Sequence, residues 1–528
     1  SLKSGQFAPA RGGQFGPAQG GQFSPASGGQ FDRFLHLIEA IWGLMQLYGL
    51  TPSFHSGFRI TGTFSNPAPY AIYLAAIFPL AFGIVLRKKK FDKTLMTEIL
   101  YYTSLVTSVA IALVLPATLN RASWLGVVAG SLPVLNSRFG LFNRLRIFNH
   151  NLVRRVLTLF ILVLLIGSVG IGLFYLKKGS SVGRLLIWEV TLNKIVDKPL
   201  FGFGVGRFEA EYNNWQAEYF TEHPEDKRSP KGLAAGNTKY CFNEYFELTS
   251  ETGLIGLLLF LLVIFSALAP YIKQVFLNIP EKNSIVNLIS PSLVTILFCA
   301  LVSFPFFSLP TNIVFFTVIS LLSSQTKMDL LKPFRSKYSH SVHRSFSWIA
   351  GMSLILVSVL IFRIAKNKYE AYYTWDKAEK LYQTGNYKES CNSFSDGFTS
   401  FRFTGKYLQY YGKALFLCED YDKSFLILRQ AQNYTSDEVL YTTLGEIYQV
   451  RRDYNESEKA YLYASNMVPG KLFPKYLLAN MYFEAGNNGM ALRIAEDILS
   501  QKVKVESSAT AEIKERMKLM TEEIKAKK

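Results

Sequence analysis

Blocks of apolar residues separated by short polar stretches constrain this chain more than any other feature. They fall roughly at 34–50, 69–86, 95–117, 122–137, 156–176, 253–271, 285–305, 311–325 and 347–364. A helix crossing a bilayer needs about 20 residues, so the blocks at 34–50, 122–137 and 311–325 are short for that task. Within lipid every backbone N–H and C=O must find a partner inside its own segment, which favours helices for blocks of this kind. The expected fold is all-α, beginning with a polytopic helical membrane domain of about nine spans.

The cations sort the loops into two sides. Residues 87–93, 138–155 and 327–344 are rich in Lys and Arg, and Lys273 and Lys282 follow the sixth block. If each block crosses once, all of these loops share one side, and the positive-inside rule makes that side the cytoplasm. The opposite face carries few cations: Arg59, Arg121 and none at 306–310. The loops near 51–68 and 118–121, the long segment 177–252 and everything after residue 365 then lie outside, on the face opposite the cytoplasm. The lipid bilayer also explains much of the formal net charge of +18. No nucleic-acid partner is expected, because no recognition motif accompanies that charge.

Residues 1–31 repeat the octapeptide GQFxPAxG, a composition that cannot bury a core and is expected to be disordered. Cys241, Cys299, Cys391 and Cys418 show neither CxxC nor Cys/His spacing, so no metal, cofactor or disulfide scaffold is expected. The chain opens at Ser1 without a signal-peptide pattern, and an N-terminal truncation is the expectation.

The region 365–528 is polar and periodic. Tyr387, Tyr421, Tyr454 and Asn488 close matching tripeptides, and small residues precede them at Ala378, Gly412, Gly445 and Ala479. Both series step by 34, 33 and 34 residues. This period reads as tetratricopeptide repeats, helix pairs that bury their apolar faces only by stacking into an α-solenoid. Such a solenoid usually binds a protein partner. The expected organisation is residues 1–31 disordered, 32–364 membrane-embedded with the outer loop 177–252, and 365–528 a repeat domain.

An outward-facing site must come from the outer segments. Arg121 lies in LPATLNRASWLG, and Arg184 and Arg207 lie in GRLLIWEVTLNKIVDKPLFGFGVGRF. Single arginines beside lipid often only snorkel to the interface. Several on a cation-poor face suit a diphosphate, because the guanidinium fork stays charged and donates fixed hydrogen bonds. Asn243, Glu244, Glu247 and Glu251 crowd the end of the outer loop beside the apolar run LIGLLLFLLVIF.

These stretches, with FRITGTFSNPAPYAIYLA, occur in the order seen in the O-antigen ligase and polymerase superfamily of bacterial membrane glycosyltransferases, which the chain resembles. The elements are its Gly-Thr-Phe-x-Asn-Pro loop, its Ser-Arg-Gly-x-Trp element with Asn120 for Ser, its Arg-x-x-x-Trp segment, and its His-Asn-x-Tyr-Leu element ending in Glu-x-Gly-x-x-Gly. The resemblance implies a metal-independent, inverting transfer of a glycan from a polyprenyl diphosphate carrier to an acceptor glycan or lipid A core. By matching position Arg121 and Arg184 would hold the diphosphate. One departure stands out: Phe242 occupies the place of the histidine that activates the acceptor, although Asn243 matches. Glu244 is the first candidate to replace that base, with Glu247 and His223 as alternatives. Ser250 or Thr249 as a helix N-cap gives Glu251 a structural reading. A polymerase with the same donor, a flippase, and a non-catalytic scaffold that recruits partners through its repeats are the competing expectations.

Overall fold

The computed structural model describes residues 35–55, 57–87, 94–140, 174–276, 285–325 and 340–526, together with Val156, Ser168 and residues 170–172. Residues 1–31, most of the block at 156–176 and most of the cationic loops lie outside this set. Helix is the regular element throughout the described residues, as the sequence leads one to expect. They form two compact units, one of residues up to 205 with 240–326, the other of residues 206–239 with those from 327 onward.

In the first unit Pro67–Leu86, Leu95–Ala117 and the first 30 residues of Glu244–Phe276 are long and apolar enough to cross a membrane, and Val286–Ala300 and Leu309–Gln325 are shorter apolar helices. Pro67–Leu86 is the central helix: 72% of its most apolar window is buried, against 39% for Leu95–Ala117. Its start is well determined. Asn66 accepts from the Ala68 amide at 2.8 Å, and Pro67 occupies the first helical position, where no backbone N–H is needed. Arg121–Phe139 crosses Val286–Ala300 closely through the small pair Gly126 and Gly130. A Cβ on Gly130 would stand 1.9 Å from Thr295 Oγ1. This is the small-xxx-small spacing that lets membrane helices approach.

The second unit is a succession of helix pairs. In the first three pairs a serine bonds to the small residue of its partner helix: Ser390 to the Ala378 carbonyl at 2.9 Å, Ser424 to Gly412 at 2.7 Å, Ser457 to Gly445 at 2.9 Å. The fourth pair has Ala491 at the corresponding position. The sequence period is thus a period of contacts. Turns are closed by Asp420, Asp453 and Asn487, each capping the helix that follows. The boundary expected between 364 and 365 falls inside one uninterrupted helix, His340–Gln383.

Residues 206–239 also differ from the expectation of a plain outer loop, because they pack within this second unit. Helix Phe208–Glu222 sets Asn213 on Ser436, Asn214 on Tyr441 and Thr221 on Asn466, the last two at 3.0 and 2.9 Å. Asn237 bonds to Asp437 at 2.8 Å, and Arg228 pairs with Asp497. Side-chain amides work beside an apolar contact of Ala217 with Met467 and Val468. The repeat surface expected to await a partner therefore holds a segment of its own chain.

Cys391 and Cys418 also meet here, Sγ to Sγ at 2.9 Å with both thiols free. Their separation of 27 residues matches no motif, so the pairing follows only from stacking. In an oxidising compartment the pair is expected to form a disulfide worth about 3 kcal/mol by the loop-entropy estimate. Thiol alkylation of intact spheroplasts, with and without reductant, checks this. A pair that stays reduced in an oxidising periplasm would contradict the outward placement of the repeats.

Candidate functional site

In the first unit, backbone caps bring the sequence elements together. Arg121 is the first residue of Arg121–Phe139, whose N-cap Asn120 accepts from Ser123 N at 3.1 Å. The Asn120 amide also reaches the Ala68 carbonyl at 3.5 Å, which ties the GTFSNP turn to this helix start. Arg121 donates to Ser181 Oγ at 2.9 Å, and Lys177, at the N-cap of Lys178–Asp197, donates to the Leu119 carbonyl at 3.3 Å. Two helix starts are thus cross-linked through cations. A cation at a helix N-terminus meets the positive end of the macrodipole and is unfavourable there.

Arg184 lies further along the same helix. It donates to the Val302 carbonyl at 2.8 Å, its guanidinium stands 5.0 Å from the Phe242 ring centroid, and its buried Nε has no hydrogen-bond partner among the described residues. Burial first, and the Arg121 charge second, pull its pKa down to about 10. Burial lowers that of Arg121 as well. Lys177 is exposed, and partial desolvation, then Arg121 and Arg184, still lower its pKa. Three cations therefore press on one another at a point where an anion would relieve all three.

One helical turn beyond Arg184, Trp188 Nε1 donates to the Cys241 carbonyl at 3.0 Å. The Arg-x-x-x-Trp spacing puts both side chains on one face, gripping residues 241 and 242. Phe242 has φ of 55°, the left-handed region that a bulky residue occupies at a cost of about 1–3 kcal/mol. Leu119, which receives Lys177, has φ of 52°. The first unit's two non-glycine residues with positive φ, among those described, both adjoin the cations.

The acidic cluster divides by role. Asn243 is the N-cap of Glu244–Phe276, accepting from Tyr245 N and Phe246 N at 3.0 and 3.1 Å. That corrects the expected cap at Ser250 or Thr249, whose hydroxyls bond back to Glu247 and Tyr245 within the helix. Glu247 accepts from Cys241 N at 2.8 Å and so fixes the turn ahead of the helix. Glu244 accepts from Phe306 N at 3.0 Å. Val302, which holds Arg184, and Phe306, which holds Glu244, belong to one short connection between Val286–Ala300 and Leu309–Gln325. Nothing in the sequence marked that connection. It also carries Phe304 and Phe307, which with Tyr240 and Phe242 form an aromatic shelf; Tyr240 lies 4.4 Å from Phe304 and 4.6 Å from Phe307, centroid to centroid.

The glycines of PLFGFG serve packing. Phe203 N and Gly204 N donate to the Ser250 and Glu251 carbonyls, both at 2.8 Å. At Gly253, φ 69°, a Cβ would fall 2.0 Å from the Leu200 carbonyl oxygen. The helix is interrupted there, which sets Glu244 apart from the apolar run.

Two further candidate residues belong to the second unit. Arg207 belongs to the second unit, where it pairs with Glu211 and donates to the Asn433 carbonyl at 2.6 Å. His223 stacks on Tyr219 at 4.6 Å in that same unit. Lys177, which the sequence reading did not single out, is the further cation that the structure couples to Arg121 and Arg184.

Residues 106–261 match the family model for O-antigen ligase, a stretch that contains Arg121, Lys177, Arg184, Phe242 and Glu244. Two relatives carry the name polysaccharide ligase. One, from Rickettsia conorii, is 31% identical over 104 residues, 20% of this chain and 22% of the relative. The other, from Rickettsia bellii, is 29% identical over 186 residues, 35% of this chain and 42% of the relative. The matched part thus spans less than half the length of either. The chain carries a polysaccharide-ligase-like segment and helices able to cross a membrane.

Proposed function

We propose that this protein transfers a glycan from a polyprenyl diphosphate carrier to an acceptor hydroxyl at the outer face of a bacterial inner membrane, as a ligase. The observation that carries this reading is that Arg121 bonds to Ser181, one turn before Arg184 on the same helix, and that the two guanidinium groups repel each other. Guanidinium groups arranged in this way suit a diphosphate and stabilise charge on it as it leaves.

Glu244 takes the acceptor proton. The freed oxygen attacks the anomeric carbon from the face opposite the diphosphate. The bond between that carbon and the phosphate oxygen breaks, its electron pair stays on the diphosphate, and the configuration inverts. No step needs a metal. The helix pairs of 365–528 read as tetratricopeptide repeats in the periplasm, and the acceptor is a glycan or lipid A core.

Complementation tests the assignment. Full-length protein is expressed in strains that lack the O-antigen ligase or the polymerase, and the lipopolysaccharide ladder is read. Attachment of pre-formed chains to lipid A core in the ligase-deficient strain is expected. Conversion of single units to long chains in the other strain would make the protein a polymerase. No change in either, with the protein present in the membrane, would favour the scaffold.

A further inference from the structure

We propose that Lys177 is the third cation of the diphosphate site, matched to the charge that appears when the glycan departs. This inference rests on the glycan-transfer reading above. The placement is built rather than incidental. Lys177 occupies the N-cap of Lys178–Asp197 but makes no side-chain cap bond there. It reaches instead to Leu119, two residues before Arg121, while Arg121 reaches back to Ser181, four residues after Lys177. Leu119 is held in a left-handed conformation at the point where its carbonyl receives the lysine. Among the described residues neither Lys177 nor Arg184 is joined to a carboxylate. Arg121 and Arg184 both repel the Lys177 charge.

The chemistry supplies a reason for three. A glycan-loaded carrier is a diphosphate diester with two negative charges. When the bond from the anomeric carbon to the phosphate oxygen breaks, the electron pair remains on that oxygen, and the proton of the acceptor hydroxyl goes to the base. The carrier diphosphate then has a terminal phosphate whose last ionisation lies near pH 6, so it carries close to three charges at neutral pH. Two guanidinium groups balance the donor, and the lysine balances the charge that develops. An interaction stronger in the transition state than with bound substrate raises kcat and leaves KM alone. Snorkelling of Lys177 to the lipid interface is the competing role.

The test uses full-length protein in detergent with two soluble probes, farnesyl diphosphate and farnesyl monophosphate, and wild type is expected to prefer the diphosphate. Lys177→Ala should weaken farnesyl diphosphate binding about tenfold and leave the monophosphate nearly unchanged. Lys177→Arg should restore the preference. In transfer assays Lys177→Ala should lower kcat with the donor KM held. Wild-type affinity for the diphosphate should fall as pH rises toward the lysine's lowered pKa, and Lys177→Ala should remove that fall. If Arg184→Ala weakens both probes while Lys177→Ala matches wild type, the third-cation inference is overturned and the diphosphate site stands. If Arg184→Ala leaves both probes unaffected, the diphosphate reading itself fails. Thermal melts of each variant separate misfolding from lost binding, and Lys177→Arg keeps the proposal decidable should the alanine variant fail to fold.

Discussion

Arg184→Ala lowers the rate of glycan transfer about 10²- to 10³-fold, the loss expected when one preorganised donor to a developing anion is removed. Arg184 has little else to do. Its bond to the Val302 carbonyl uses one nitrogen, and its Nε remains buried without a partner among the described residues. Removing it relieves the charge repulsion with Arg121 but costs the bond to Val302 and the contact with the Phe242 ring, so stability is measured beside the rate. Arg184→Lys recovers little activity, because a single ammonium cannot reproduce a planar fork held between a carbonyl and the Phe242 ring. Single-turnover transfer with a labelled lipid-linked donor, alongside a thermal melt, makes the measurement. Near-normal turnover in the alanine variant would remove Arg184 from the chemistry.

Glu244→Gln should lower transfer about 10²- to 10⁴-fold, the range over which positioned general bases act. The amide keeps the size and the acceptor for Phe306 N, so packing is little disturbed while the ability to take a proton is lost. Glu247→Gln makes a useful contrast, since Glu247 is committed to Cys241 N. It should perturb stability more than chemistry. Restoring a histidine tests the idea from the other side. Phe242→His placed in the Glu244→Gln protein should regain part of the lost rate if the base has moved from one position to the other. Full activity of Glu244→Gln alone would place the base elsewhere.

The helical character of the chain was legible because apolar blocks of membrane length leave few alternatives. So was the period of the repeats, which the structure shows as the same serine-to-backbone bond at Ser390, Ser424 and Ser457. The arginines 121 and 184 stood out as cations on a cation-poor face. Lys177 did not, because a lysine just beyond an apolar run reads as an interface anchor, and only its bond to Leu119 distinguishes it. The left-handed Phe242 was equally silent, since no local pattern predicts positive φ for a phenylalanine. Arg207 was grouped with Arg184 on its place in the sequence. It sits near Arg184 in sequence, yet the chain turns at Gly206 into the other unit, where Glu211 takes it up. Asn243 was recognised by its match to a motif, and the cap it forms on the helix had no signal of its own.

The segment 206–239, seated among the helix pairs by Asn213, Asn237 and Arg228, bears on how such a protein can change over evolution. A free repeat array can be exchanged between relatives as a cassette, because its surface answers only to an outside partner. This array answers to amides on a stretch of chain far away in the gene. Exchange of the array alone would leave Asn213 without the Ser436 carbonyl and Asn237 without the Asp437 carboxylate, so productive recombination has to carry both pieces or neither. Drift in residues 206–239 should be tracked by compensating change at Ser436, Asp437 and Asp497.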